Sequence, residues 1–208
     1  MQDHWETFWN QRYAEDGFAY GHLPNHFFAE AIKSLPLGKI LLPAEGEGRN
    51  AIHAAKLGWE VNAFDISASG QQKALQWAKE NEVTINYQVG ELQNLSFEPQ
   101  SFDAIGLIYA HFSGDQKAII HQQLLSLVKP RGFVLLEAFS KNHLQYQAIN
   151  ERVGGPKDLN MLHSIEEMQT DFNACTFLQL SEEEVTLHEG KYHQGVGKVI
   201  RMVAQKNI

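Results

Sequence analysis

The chain has 208 residues, 43% hydrophobic and 20% charged, which fits a soluble protein with one domain and a full hydrophobic core. Its formal net charge of −8 disfavours nucleic acid and anionic membranes as partners. The one cysteine, Cys175, excludes an intrachain disulfide and a cysteine-based metal site, and the ten histidines show no metal-ligand spacing, so we expect no metal.

The N-terminal segment is rich in aromatic residues and precedes the first predicted strand. It has neither the basic start nor the apolar run of a signal peptide, and no apolar run approaches the ~20 residues that span a bilayer. We therefore expect a cytoplasmic protein with no membrane partner. The segment can fold over the open edge of the sheet as a lid, with the aromatic side chains Trp5, Trp9, Tyr13, Phe18, Tyr20 and Phe27. Trp5 and Trp9, four residues apart, also suit the apolar stripe of a first helix.

Apolar runs then alternate with helical patterns, which predicts βαβ units and a mainly parallel sheet. The predicted strands span residues 39–43, 60–65, 84–89, 103–109 and 132–139, and the predicted helices 48–57, 69–82 and 114–128. Capping boxes at Ser113–Gln116 and Ser164–Glu167 mark two helix starts. The strand-like segments 175–188 and 191–204 are separated by two residues, so they form an antiparallel hairpin.

The most informative stretch is the turn after the first strand, where Gly46 and Gly48 allow backbone torsions and close approaches that a Cβ would forbid. The helix that follows directs its free N–H groups at this turn. Asp65 ends the second strand, 17 residues after Gly48, where a carboxylate accepts hydrogen bonds from a ribose diol. The segment therefore predicts a ribose-bearing ligand.

Two ligands satisfy this pattern. The turn meets the dinucleotide pattern G-x-G-x-x-G/A, which indicates NAD or NADP. It also carries Glu45 and Glu47, whose negative charge opposes a pyrophosphate and favours a ligand with a cationic sulfur, such as S-adenosylmethionine. Both acids are equally typical of a helix N-terminus. The short chain leaves little room for the substrate domain of a dehydrogenase.

The layout resembles the class I S-adenosylmethionine-dependent methyltransferases, in particular the small-molecule branch with the tellurite-resistance and thiopurine methyltransferases. The resemblance covers nearly the whole chain. Its motifs appear in the family's order as LLPAEGEGRNA, NAFDIS, the turn Gly90-Glu91-Leu92, SFDAIGLIYAHF, VKPRGFVLLEAF and the hairpin LHEGKYHQGVGKVIRMVAQK. Leu42 and Ala44 stand where many relatives carry an acid and a glycine. The resemblance implies an α/β fold with a Rossmann-like, doubly wound, seven-stranded and mostly parallel sheet that ends in an antiparallel hairpin.

Cofactor contacts are expected at the carboxyl ends of the strands, as in other open α/β sheets. By resemblance, Glu91 and Leu92 bracket the adenine, and the N-terminal segment binds the methionine part. An aromatic face there also suits a cation–π contact with the sulfonium. The expected set is Trp9, Tyr13, Glu45, Gly46, Gly48, Asn50, Asp65, Ile66, Glu91, Leu92, Ile108 and Tyr109.

The methyl acceptor is expected beyond the fourth strand. Tyr109 and His111 follow this strand, and a histidine with a pKa near neutrality can take a proton from a hydroxyl or thiol. Tyr109 and His111 are thus the candidate catalytic residues, and Tyr20, His111, Tyr192 and His193 the candidate substrate residues. A lone histidine is more often a packing or surface residue, and the facing of His193 in its strand is open.

These observations predict one methyltransferase domain over residues 1–208. It comprises an N-terminal helical lid (1–35), a cofactor-binding core (36–140) and a substrate-side C-terminal segment (141–208). The predicted reaction is direct displacement from S-adenosylmethionine to a small molecule. The rivals are an NAD(P)-dependent oxidoreductase and a non-catalytic adenosine-ligand-binding module. The acceptor and the oligomeric state stay open.

Overall fold

The computed structural model describes residues 2–208, so the start of the predicted lid at Met1 lies outside the described residues. Seven strands form one sheet: β1 (Lys39–Pro43), β2 (Glu60–Asp65), β3 (Asn86–Val89), β4 (Phe102–Ile108), β5 (Val128–Phe139), β6 (Cys175–Glu189) and β7 (His193–Lys206). The helices are α1 (Gln2–Ala14), α2 (His26–Lys33), α3 (Arg49–Lys56), α4 (Ala68–Glu80), α5 (Lys117–Leu127), α6 (Leu144–Ile149) and α7 (Ile165–Asp171).

The strand order is β3-β2-β1-β4-β5-β7-β6. The first five strands pair in parallel, whereas β7 pairs antiparallel with both β5 and β6. The predicted mostly parallel α/β sheet with a terminal antiparallel hairpin is confirmed. The order reverses between β1 and β4, and ligands bind in such sheets at the carboxyl ends of the strands beside this point.

Two apolar layers cover the sheet. On one face α5 and α7 pack Leu124, Met168 and Phe172 against β4, β5 and β7, and on the other α2, α3 and α4 pack Phe28 and Ile52 against β1 and β2. β1 is buried on both faces, as parallel strands are, which is why the run ILL contains no polar residue. The layers hold the carboxyl ends of β1, β2 and β4 rigidly beside one another.

Local signals explain most helix boundaries. The predicted capping box of α7 is confirmed, because Ser164 and Glu167 exchange side-chain and backbone hydrogen bonds there. The predicted capping box of α5 is wrong: the helix begins at Lys117 without a side-chain cap. The Ser113 carbonyl instead accepts the backbone N–H of Gln116, which makes a turn before the helix. Among the described residues, no helix is long and apolar enough to cross a membrane.

Candidate functional site

The turn between β1 and α3 needs glycine for internal packing. Gly46 and Gly48 have φ of +61° and +88°, in the left-handed region that favours glycine. A Cβ on Gly46 would lie 2.5 Å from the Tyr13 hydroxyl, and one on Gly48 would lie 2.7 Å from the Cβ of Ala74. Tyr13 of α1 and Ala74 of α4 therefore pack directly on the turn.

Ala44 is the strained residue of this turn, with φ of +52°. The backbone there has the conformation that a glycine adopts without strain. A left-handed alanine costs about 1–2 kcal/mol, and this strain is retained in the folded protein.

Replacing Ala44 by Gly should therefore raise the free energy of unfolding by about 0.5–1 kcal/mol, because the relieved strain exceeds the added entropy of the unfolded chain. Urea titration measures this change. Ala55→Gly, inside α3, is the matched control and should lower stability by about 1 kcal/mol. Equal destabilisation by both variants would contradict the strain at Ala44.

Both acids of the turn are engaged in hydrogen bonds within the protein. Oε1 of Glu45 accepts the N–H groups of Asn50 (2.8 Å) and Ala51 (2.7 Å), so this carboxylate caps α3. Burial raises the pKa of Glu45 to about 7. Glu47 accepts the N–H of Ala19 at 2.7 Å and pairs with Lys73 at 3.0 Å. The sequence argument that these acids favour a cationic ligand loses its support, and cofactor contact by Glu45 and Asn50 stays a prediction.

Asp65 lies at the end of β2 and faces the turn. Its carboxylate accepts the N–H of Gly46 (3.0 Å) and of Ser67 (2.9 Å), one on each oxygen. Burial raises the pKa of Asp65 to about 6, against the effect of these two hydrogen bonds. Each oxygen keeps a lone pair, so the group retains the capacity to accept from a diol.

Helix α1 covers this region. Tyr13 is buried and stacks on Trp9 at 5.3 Å between ring centroids, whereas Trp5 is exposed on the outer face. Oδ1 of Asn10 accepts hydrogen bonds from the Ser67 hydroxyl and the Ser69 N–H, at the start of α4. The helix is thereby attached beside Asp65, which supports a lid and places Tyr13 at the glycine turn.

The residues present fit a ribose-bearing ligand without a pyrophosphate. Asp65 offers free lone pairs, and half-buried Ile66 and Leu92, after β2 and β3, offer apolar contacts to a base. Glu91 is half-buried beside Leu92. The N–H groups at the start of α3, which would hold a phosphate, are already capped by Glu45. The Tyr13 hydroxyl rests on Gly46, so α1 covers the turn that such a ligand would reach.

A second group of predicted residues meets beyond β4. The ring of His193, the first residue of β7, lies 4.6 Å from the Tyr20 ring and 4.7 Å from the Tyr109 ring. Tyr109 directly follows Ile108 and has φ of +51°. Its hydroxyl is shielded, and burial with the charges of Glu137 and Glu189 keeps its pKa well above the usual value.

Two other predicted residues lie at the edge of this group. Tyr192 donates its hydroxyl to Glu15 at 2.6 Å and lies under Arg12, so it contacts the N-terminal segment. His111 stacks on Phe139 at 5.8 Å, and both of its ring nitrogens are shielded without a partner in the described chain. Burial lowers the pKa of His111 to about 3, whereas the sequence argument required a value near neutrality. The role of His111 as a base therefore stays a prediction, and the burial of its ring disfavours this role.

Sequence reasoning missed the charged groups that join these parts. Arg49, on the first turn of α3, pairs with Glu189 at 3.0 Å, and Glu189 also contacts His193. Asn25 donates to Glu137 at 2.6 Å, and Arg201 reaches the other oxygen of Glu137 at the same distance. These residues are buried or partly buried, and up to 140 positions separate the partners. The only signal was their charge within apolar segments.

Part of this chain matches a known protein family, and its fold matches known structures. The family model described as a methyltransferase domain matches residues 40–132, which run from β1 to β5. No curated protein matches the chain. A structure reported for thioacetal formation during echinomycin biosynthesis superimposes with a TM-score of 0.77 at 15% identity, covering 99% of this chain and 92% of that one.

Two further structures share the fold. A SAM-dependent methyltransferase of Methanosarcina mazei has a TM-score of 0.70 at 16% identity, covering 86% of this chain and 97% of that one. TehB of Haemophilus influenzae also has a TM-score of 0.70 at 16% identity, covering 97% of this chain and 67% of that one. Residues 40–132 thus match a methyltransferase domain, in agreement with the motifs in that stretch, and the sheet is the one that these structures share. The matched domain marks the chain as a methyltransferase enzyme that uses S-adenosylmethionine.

Proposed function

We propose that this methyltransferase acts on a small molecule by direct displacement. The observation that carries the proposal is the burial of the acceptor side, where His193 is 5% exposed and Ala19, in the covering segment, is 3% exposed. The N-terminal segment covers this region, since the Ala19 carbonyl accepts the N–H of Lys191 at the hairpin. Such close coverage suits a small acceptor better than a polymer, and the net charge of −8 opposes nucleic acid.

The cofactor supplies a methyl group already activated on a sulfonium, so the protein's task is to bind, align and exclude water. In our proposal Asp65 accepts the ribose hydroxyls, and Ile66 with Leu92 flanks the adenine. Gly46, Gly48, Trp9 and Tyr13 surround the methionine part. Glu91 and Ile108 complete the cofactor side. Tyr20, Tyr109 and His193 form the acceptor side, with Tyr192 at its rim.

We further propose that the chain works as one domain whose parts are a lid (1–35), a cofactor core (36–140) and a substrate-side segment (141–208). The contacts of the N-terminal segment with both other parts support this division. Ala19 bonds to Glu47 in the core and to Lys191 in the hairpin.

Thermal-shift measurements with S-adenosylhomocysteine, S-adenosylmethionine, NAD and NADP test the proposal. We expect the two sulfur ligands to raise Tm by several degrees at 100 times their Kd, because ligand binding to the folded state adds about 2.7 kcal/mol there. NAD and NADP should leave Tm unchanged. Stabilisation by NAD or NADP alone would favour the oxidoreductase, and cofactor binding without turnover of any acceptor would favour a non-catalytic binding module.

A further inference from the structure

We propose that His193, held by Glu189, takes the proton released by the methyl acceptor, and that the acceptor is accordingly a thiol or a hydroxyl compound. The inference rests on the proposed function and deepens it. It concerns a pair of residues that no motif relates, since Glu189 ends β6 and His193 opens β7 across the hairpin turn.

The geometry assigns the tautomer of His193. Its Nδ1 lies 2.9 Å from Oε2 of Glu189. Burial acts to raise the pKa of Glu189, but the charge of Arg49 and the contact with His193 prevail and lower it to about 2. An ionised carboxylate only accepts hydrogen bonds, so Nδ1 carries the proton and Nε2 holds a lone pair. Nε2 is left without a hydrogen-bond partner within residues 2–208.

Glu189 is itself fixed from two sides. Nη2 of Arg49 donates to Oε2 at 3.0 Å, and Nδ2 of Asn25 donates to Oε1 at 3.1 Å. Gly190, the next residue, lies so close to the N-terminal segment that a Cβ would stand 2.3 Å from the Ala19 carbonyl oxygen. Glu189 therefore has little freedom to turn, and it orients the imidazole as the carboxylate of a base–orienter pair does.

The surroundings of the ring suit a neutral base. The rings of Tyr20, Tyr109 and Phe139 surround it at 4.6, 4.7 and 5.2 Å, and its Cδ2 edge packs on Gly154. Burial lowers the pKa of His193, and the Glu189 charge acts against this effect. The net effect favours the neutral imidazole over the charged one. The titratable and charged groups that face it are Tyr20, Arg49, Tyr109, His111, Glu137, His143 and Glu189.

The proton balance defines the acceptor class. As the acceptor's lone pair forms the bond to the methyl carbon, the carbon–sulfur electron pair returns to sulfur and the acceptor's proton moves to Nε2 of His193. Solvent then takes that proton. Thiols and hydroxyl compounds have such a proton to lose, whereas thioethers and tertiary amines have none and gain nothing from a base.

Nitrogen NMR of the imidazoles tests the tautomer without any acceptor. In the complex with S-adenosylhomocysteine at pH 7, we expect His193 to be neutral with its proton on Nδ1. Glu189→Gln should abolish that single-tautomer signature, while His188→Gln, on the exposed side of the same hairpin, should leave it unchanged. A charged ring, or a proton on Nε2, in the unmodified protein would overturn the proposal.

Kinetics test the base itself, with 2-mercaptoethanol, benzenethiol and phenol as protic acceptors and dimethyl sulfide and trimethylamine as aprotic ones. We expect turnover of the protic acceptors only, and a fall in kcat of about 10²–10⁴-fold in His193→Gln. In Glu189→Gln the acid limb of the pH–rate profile should move to lower pH, because the charge that raises the His193 pKa is lost. His188→Gln should keep the full rate.

Two measurements separate this proposal from the proposed function. S-adenosylhomocysteine affinity, measured by calorimetry, should be the same in His193→Gln and in the unmodified protein. Failure of that ligand to bind the unmodified protein would remove the proposed function. Three outcomes, each with normal binding of S-adenosylhomocysteine, would contradict only the proposal that His193 is the base. They are turnover of the aprotic acceptors only, no turnover of any protic acceptor, and an unchanged rate in His193→Gln.

Discussion

Replacing Asp65 by Ala should weaken the binding of S-adenosylhomocysteine by about 1–3 kcal/mol, or roughly 5- to 150-fold in Kd, because a charge-assisted hydrogen bond to the ribose is lost. Isothermal calorimetry measures the change. Asp103→Ala is the matched control: Asp103 bonds to Lys39 and Lys129 at the opposite end of the sheet, so its loss should not alter Kd. Equal affinities in all three proteins would contradict the prediction that Asp65 binds the ribose.

The same carboxylate predicts a pH dependence. Because burial raises the pKa of Asp65 to about 6, the free protein binds a proton there as the pH falls from 7 to 5. The ligand favours the ionised form, so its affinity should decline below pH 6, by up to tenfold per pH unit. In Asp65→Asn this decline should vanish. Any slope that persists in this variant would belong to another group, such as Glu45, whose pKa is about 7.

Replacing Arg201 by Met should lower the free energy of unfolding by about 3 kcal/mol. Arg201 donates to the buried carboxylate of Glu137 at 2.6 Å and to Glu183 at 2.8 Å. Glu137 is 2% exposed, so the substitution leaves a buried charge without its guanidinium partner. Urea denaturation measures the loss.

The double variant Arg201→Met/Glu137→Gln is the informative control for this ion pair. Since the cost arises from the unpaired charge rather than from the lost contact, removing that charge should restore most of the stability. Lys157→Met, which breaks an exposed pair with Glu151, should change stability by less than about 1 kcal/mol. A double variant as unstable as Arg201→Met would show that packing of the arginine side chain dominates.

The sheet was predictable because its signals are local. β1 and β2 occupy the predicted residues, since each is a buried run that ends at a glycine turn or an acid. The start of α5 was not predictable from Ser113, because the turn before this helix satisfies its backbone without a side-chain cap. Local patterns thus located the strands better than the helix starts.

The candidate site also contains features that local sequence predicts and features that it does not. Asp65 and the glycine turn follow from spacing along the chain, and the structure brings them into contact. Arg49 and Glu189 are 140 positions apart, and the sequence around neither residue predicts that they pair. Glu45 carried a charge that suggested a ligand, but the nearest unpaired donors were the N–H groups of its own helix. Local charge alone does not reveal which partner a buried acid takes.

Residues 15–21, which follow α1, are bonded to both sides of the site. Lys73 of α4 holds the carbonyl oxygens of Glu15 and Gly17, and Lys191 of the hairpin holds that of Asp16. We expect this segment to open as one unit, because release from either side frees the same short stretch of backbone. Departure of the spent cofactor and renewal of the acceptor pocket would then share a single step, and the frequency of that opening would set an upper limit on turnover.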